Sequence, residues 1–302
     1  MMNLIDCLKL NQQQLFRALL RQYQENAISR QGAYILVRGE VPVLLVAHLD
    51  TVHQEPVRTI CQNKEGTILM SPQGIGGDDR CGVFALQSIY ATAKQKPWLL
   101  FTCDEETGGQ GAREFVRDYE QKKLPTGLDA MKMLIEIDRK GSNDAVFYDC
   151  DNPDFEEYIN RKGFQTQMGS FSDISLLAPA LGTAAVNLSA GYYHAHTLHE
   201  SINIRHLEKT IHKVSEMVED AAQKDFPHYE YMECVWGMDW RYYGYAEDIP
   251  KNLPKVYRQQ YITLLDYYPK KELEACRRVY GNGILEQLYE DIYDSCLEKE
   301  ER

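Results

Sequence analysis

The sequence predicts an α/β fold, a three-layer α/β/α sandwich built on a mixed, largely parallel sheet, followed by a helical, tyrosine-rich C-terminal extension. Two observations carry this expectation. Five short apolar runs alternate with segments of helical periodicity, and near-continuous apolar strands separated by helices belong to a sheet buried on both faces. Near residue 225 that alternation stops, and tyrosines and helix formers take over.

Residues 11–27 (NQQQLFRALLRQYQENA) place Leu15, Leu19 and Tyr23 on one helical face, which predicts an amphipathic helix covering the sheet. Strand-like runs follow at 33–37 (AYILV), 41–49 (VPVLLVAHL), 98–103 (WLLFTC), 131–137 (MKMLIEI) and 182–188 (GTAAVNL). Helical segments are expected over 80–95, 109–122, 153–162 and 204–224. Residues 1–225 thus read as one α/β domain and residues 226–302 as an extension of unknown role. The aromatic stretches of that extension are read as packing surface, because no basic groove accompanies them.

Composition narrows the partners. The 302 residues carry a formal net charge of −12, which argues against non-specific binding to nucleic acid or anionic membrane and favours small molecules, peptides or cations. No apolar run approaches membrane-spanning length, and the start of the chain lacks the features of a signal peptide, so a cytoplasmic protein is expected. The eight cysteines are scattered singly, without CxxC pairs, as reduced thiols would be. Cys81 and Cys103 lie beside acidic motifs and are read as small buried hydrophobes rather than ligands.

The stretch GIGGDDRCG, residues 74–82, looks at first like a phosphate cradle, yet it ends in two carboxylates that would repel a phosphate. The dinucleotide-binding spacing also fails, since Asp79 stands where its third glycine belongs. A carboxylate pair at a strand-to-helix junction suits a divalent cation, and one carboxylate can bridge two of them. Ligand-type side chains recur at the ends of other apolar runs. His48 and Asp50 close one run, Asp104, Glu105 and Glu106 another, and Asp138 a third, while His194, His196, His199 and Glu200 follow the last. In open α/β sheets such groups converge outside the carboxyl ends of the strands. Singly each has a bland reading: a surface histidine, an acidic helix start at Glu105 and Glu106, a capping box formed by Thr197 and Glu200. Together they favour a metal site.

In this order, HLDTV, GIGGDDRCG, CDEETGGQGA, EID and HTLHE resemble the motifs of the co-catalytic zinc exopeptidase superfamily, which includes peptidase T, zinc aminopeptidases and related carboxypeptidases and deacylases. The resemblance spans residues 40–210 and leaves the tail unexplained. It implies that residues 1–225 form a catalytic domain. It further implies His48 and Asp138 as ligands of a first metal, Glu106 and His196 of a second, and Asp78 as the bridge, with Asp79 behind it. His194 and His199 are rivals of His196. Asp50 would orient His48, and Glu105 would be the general base acting on a water acidified by two ions. Zinc is the implied metal, with manganese or cobalt as alternatives.

The stretch between Asp138 and His196 is too short for an inserted lid domain, so the chain looks more like the compact aminopeptidase branch. SFSDISLLAP (170–179) is similar to a pocket-wall segment there, with Ser172 and Asp173 as substrate contacts or a helix cap. Tyr192 or Tyr193 would either donate to a tetrahedral intermediate or pack at the rim. The activity expected is removal of amino-terminal residues from short peptides. A deacylase or carboxypeptidase with the same site is one alternative, and a silent binding module another. A homo-oligomer is compatible with the aromatic tail.

Overall fold

The structure, a computed structural model, describes residues 1–53, 55–169, 171–233, 250, 253–254, 257–265 and 267–290. Two compact units divide the chain at Glu233 and Cys234.

The first unit opens with helices α1 (Leu4–Lys9) and α2 (Gln12–Gln22). Asn11 and Gln14 cap α2 reciprocally, and its buried face carries Leu15, Phe16 and Leu19. This helix ends earlier than its amphipathic pattern suggests. Its chain turns through Asn26, whose N–H donates to the Tyr23 carbonyl, into an edge strand, β1 (Ala27–Arg30).

The main sheet then takes in β2 (Tyr34–Val37) and β3 (Val41–His48), and α3 (Gly77–Thr92) leads to β6 (Pro97–Thr102). Between β3 and α3 lie two short strands, β4 (Cys61–Gln62) and β5 (Ile68–Met70). Helix α4 (Gln110–Glu120) and a 3-10 turn (Thr126–Ala130) lead to β7 (Met133–Arg139), followed by β8 (Asp144–Val146), α5 (Pro153–Arg161) and β9 (Gln165–Gln167). Helix α6 (Ile174–Leu181), β10 (Ala185–Ser189), β11 (Tyr192–Tyr193), β12 (Ser201–Asn203) and α7 (Ile204–Ala221) complete the order.

The eight-stranded sheet runs β1-β2-β6-β3-β7-β10-β8-β9. Its centre, β6-β3-β7-β10, is parallel, and antiparallel pairings flank it on both sides. Both faces are buried. From β3, Val43, Leu45 and Ala47 join a core with α1, α2, α3 and α7, while Leu44 and Val46 join a second core with α4 and α6. That alternation explains why the strand reads as one apolar run instead of a half-polar one. Each fully buried leucine contributes about 1.5–3 kcal/mol relative to exposure. The architecture is therefore the three-layer α/β sandwich the sequence predicts.

A four-stranded antiparallel sheet, β11-β12-β5-β4, stands beside the main one. Residues 226–233 run along the first unit: the Tyr229 N–H donates to the Lys132 carbonyl, and the Tyr229 ring meets Phe155 and Tyr158. The second unit contains α8 (Arg258–Leu265) and α9 (Lys270–Tyr280), whose core holds Leu253, Tyr261, Leu264, Leu273 and Leu285. Residues 234–249 and 291–302, which carry much of the tyrosine-rich sequence together with Cys234 and Cys296, lie outside the described residues. Among those described, Cys7, Cys61, Cys81, Cys103, Cys150 and Cys276 are free thiols, and Cys81 and Cys103 are buried. No helix among the described residues is long and apolar enough to cross a membrane.

Candidate metal centre

The four parallel strands deliver their carboxyl ends to one edge, and the predicted residues follow them there. His48 is the last residue of β3, Asp104, Glu105 and Glu106 follow β6, Asp138 lies near the end of β7, and His196 sits in the hairpin between β11 and β12. The small sheet supplies the rest of the setting. Strand β12 pairs with β5, so the hairpin carrying His196 lies against the loop that leads from β5 through the glycines into Asp78.

Asp78 is the meeting point. Its Oδ1 lies 3.0 Å from His48 Nε2, and its Oδ2 lies 3.2 Å from His196 Nε2. His48 Nε2 is also 3.5 Å from Asp138 Oδ1, and His196 Nε2 is 3.2 Å from Glu106 Oε2. Two sets of donors therefore share one carboxylate, His48 with Asp138 on one side and His196 with Glu106 on the other. Closely grouped ligand atoms recur in two trios, His48 with Asp78 and Glu106, and His48 with Asp79 and Asp138. Of the three candidate histidines, His196 makes the contacts with Asp78 and Glu106, while His194 and His199 are exposed on the same hairpin.

Asp50 ties the first set to the strand β6 end. Its Oδ1 lies 3.2 Å from His48 Nδ1 and accepts the Glu105 N–H at 3.0 Å, and its Oδ2 accepts the Glu106 N–H at 3.0 Å. Asp79 is fully buried and accepts the backbone N–H groups of His48 and Gly82. Gly82 has to be glycine because a Cβ there would run into the Ile137 carbonyl and the Asp79 carboxylate.

The electrostatics fit a cation site. Burial disfavours charge on Asp78, but hydrogen bonds from His196 and His48 outweigh it and hold the carboxyl well below the usual range. Burial and the adjacent Asp78 push Asp138 up to about 7. His196 is pushed up to about 11 by its bonds to Asp78 and Glu106. Burial alone would lower His48, yet Asp138, Asp50 and Asp78 around it raise it well above the ordinary histidine value. Burial raises Glu105 far above the ordinary carboxyl range, against His48 and with help from Asp173, Asp138 and Glu106. Such crowding of carboxylates around two imidazoles is what divalent cations relieve. Glu106 Oε1 is moreover buried without a hydrogen-bond partner among the described residues, which leaves it as a free donor for a cation.

Other expectations resolve differently. Thr197 and Glu200 form no capping box, since no helix starts there: α7 begins at Ile204 and is capped by the Asn203 side chain. Thr197 instead closes the hairpin through the His194 carbonyl and the His199 N–H. Ser172 and Asp173 are buried, and Asp173 does not cap α6 with its side chain. Ser172 donates to Glu136, and Thr102 donates to Asp173. Ser170 of that segment lies outside the described residues. The Tyr192 hydroxyl donates to the Asp138 carbonyl at 3.0 Å and lies 3.2 Å from Asp138 Oδ1, and the Tyr193 hydroxyl meets His206 Nδ1 at 2.6 Å.

Sequence reasoning missed Asn187 and His53, and it named Glu200 without its partners. Asn187 brackets Asp138, accepting its N–H at 2.9 Å and donating to its carbonyl at 3.3 Å. Half-buried His53 pairs with fully buried Glu200, His53 Nε2 to Glu200 Oε2, at 2.8 Å. The only signal for Glu200 is its spacing four residues after His196.

Comparison with known proteins agrees with this geometry at the level of fold. No protein-family model and no curated protein sequence matches the chain. Among solved structures, the chain is similar to aminopeptidase PepT from Bacillus cereus, with a TM-score of 0.56 and 12% identity over 73% of this chain and 97% of that one. It is also similar to a tripeptidase from Staphylococcus aureus, with a TM-score of 0.56 and 14% identity over 72% and 96% of the two chains. A third similar structure is PhTET1-12s, described as a dodecamer in the asymmetric unit, with a TM-score of 0.50 and 14% identity over 71% and 97%. The chain thus has the α/β fold of this group of peptidases.

Proposed function

We propose that the chain is a two-metal peptide hydrolase, an aminopeptidase acting on short peptides. The observation that carries the reading is the position of Asp78 between His48 and His196, each of which also faces a second carboxylate. The fold shared with an aminopeptidase and a tripeptidase supports it. His48, Asp138 and Asp78 would hold one divalent ion, and His196, Glu106 and Asp78 the other. Zinc is the first candidate, with manganese and cobalt as alternatives for so carboxylate-rich a donor set.

Two ions bound there supply Lewis acidity to the scissile carbonyl and acidify water. The chain's own residues do the rest. Glu105 takes a proton from the attacking water and hands it to the leaving amine, a task suited to a carboxyl whose affinity for protons is raised by its surroundings. Asp50 keeps His48 Nδ1 engaged so that Nε2 faces the centre, and it anchors the backbone of Glu105 and Glu106. A homo-oligomeric assembly and a cytoplasmic location belong to the same proposal.

The test is a panel of aminoacyl amides and short peptides with free or acylated amino termini, each assayed with and without chelator. Chelator-sensitive cleavage confined to free-amine substrates is the expected result. Equal turnover of blocked substrates would replace the aminopeptidase by a deacylase or carboxypeptidase. Metal-free, inactive protein would leave a binding module.

A further inference from the structure

The glycine loop does cradle an anion, but an internal one. The Gly76 N–H donates to Glu200 Oε2 at 2.9 Å, and the Asp78 N–H donates to Glu200 Oε1 at 2.9 Å. His53 Nε2 completes the set at 2.8 Å from Oε2. Glu200 is 0% exposed, so no water competes for these donors. Both carboxylate oxygens are therefore satisfied by groups more than a hundred residues away in sequence, at separations of 122 to 147 positions.

The loop is shaped around this carboxylate. Gly76 has φ 64°, a left-handed conformation open to glycine at little cost. A Cβ on Gly77 would lie 3.2 Å from Glu200 Oε1 and within 2.9 Å of Tyr192 and Ile202 side-chain atoms. A side chain there would thus push the carboxylate off its donors.

Glu200 also belongs to the segment that carries His196. One five-residue stretch thereby grips Asp78 at two points, with His196 at its carboxylate and Glu200 at its backbone N–H. We infer that Glu200 is a positioning residue that holds the glycine loop so that the Asp78 carboxylate points between the two imidazoles. Glu200 touches neither of those imidazoles among the contacts described, so its effect passes through Asp78. This inference rests on the two-metal reading.

The test is metal affinity, measured by competition with a chromogenic chelator on full-length protein, for wild type, Glu200→Gln and Glu200→Asp. An amide at 200 turns an N–H₂ toward one of two backbone N–H groups and loses that bond. Glu200→Gln should weaken retention of the ions by about 10- to 100-fold, the range for groups that orient metal ligands. Glu200→Asp, which keeps both acceptors on a shorter stem, should recover part of the loss. With cobalt as the probe metal, the visible absorption bands of Glu200→Gln should shift, reporting altered coordination that a mere loss of stability would leave alone.

Should Glu200→Gln fail to fold, His53→Ala removes one donor from the same carboxylate and should weaken affinity in the same direction by a smaller factor. Wild-type affinity and cobalt spectrum in the folded Glu200 variant, or in His53→Ala if that variant must be used, would overturn the inference while leaving the two-metal reading intact. A wild-type protein that takes up no ions would overturn both.

Discussion

Asp78 faces two imidazoles at once, His48 Nε2 at 3.0 Å from one carboxylate oxygen and His196 Nε2 at 3.2 Å from the other. A carboxylate so placed belongs to both donor sets, so its loss should not be local. Asp78→Asn should lower affinity for both ions together, whereas Glu106→Gln should weaken one and spare the other. Stepwise metal titration by calorimetry separates the two outcomes.

Glu105 offers a sharper dissection, because its proposed work is proton transfer and not ligation. Glu105→Gln should keep full metal content and lose at least about a hundredfold in kcat, the scale of general-base catalysis. Metal analysis alongside steady-state kinetics checks this, and near-normal turnover would remove Glu105 from the mechanism.

Asp50 contacts His48 and the two amides that follow strand β6, so it couples one ligand to the segment bearing another. Asp50→Asn leaves the shape but weakens acceptance at three donors. A loss of about 10- to 100-fold in metal affinity or activity is expected. Melting curves of the metal-free variant should show how much of the effect is stability.

The two histidines also set a pH signature. Metal-free, His196 is pushed up to about 11 and His48 is raised well above its ordinary value, so both imidazoles hold a proton at neutral pH. A cation needs the Nε2 lone pair and must displace that proton, so affinity should rise with pH and binding should release protons near neutrality. Calorimetry in buffers of different ionisation enthalpy counts them. The stability of the metal-free fold should move the opposite way. A histidine raised above its unfolded value of about 6.5 stabilises fully below that pH and loses its contribution as pH rises through about 11.

Much of this was legible in the sequence because two independent signals coincided. Strands β3, β6, β7 and β10 are buried on both faces and so appear as apolar runs, and the residues at their ends are chemically unlike the runs they close. Parallel order then brings those ends together without any knowledge of distances. Strand β1 escaped because its AISR is half-exposed and carries no apolar run. The small sheet escaped because its strands are only two or three residues long, below any periodicity. Helix α6 was hidden inside an apolar stretch interrupted by Pro179. Glu200 was misread for a physical reason: its partners are backbone N–H groups, which leave no mark on the identity of the residues that supply them. The glycines suggested an anion, but the two carboxylates that follow them argued against a phosphate, so the internal carboxylate went unseen.

The most direct test of the account is the number of divalent ions held by purified wild-type protein, compared with Asp78→Asn under the same conditions. The two-donor-set arrangement predicts two ions per chain in the wild type, removed together by chelator, and a marked loss of both in Asp78→Asn. A wild-type chain that holds no divalent ion after reconstitution, or an Asp78→Asn chain that keeps both, would contradict it.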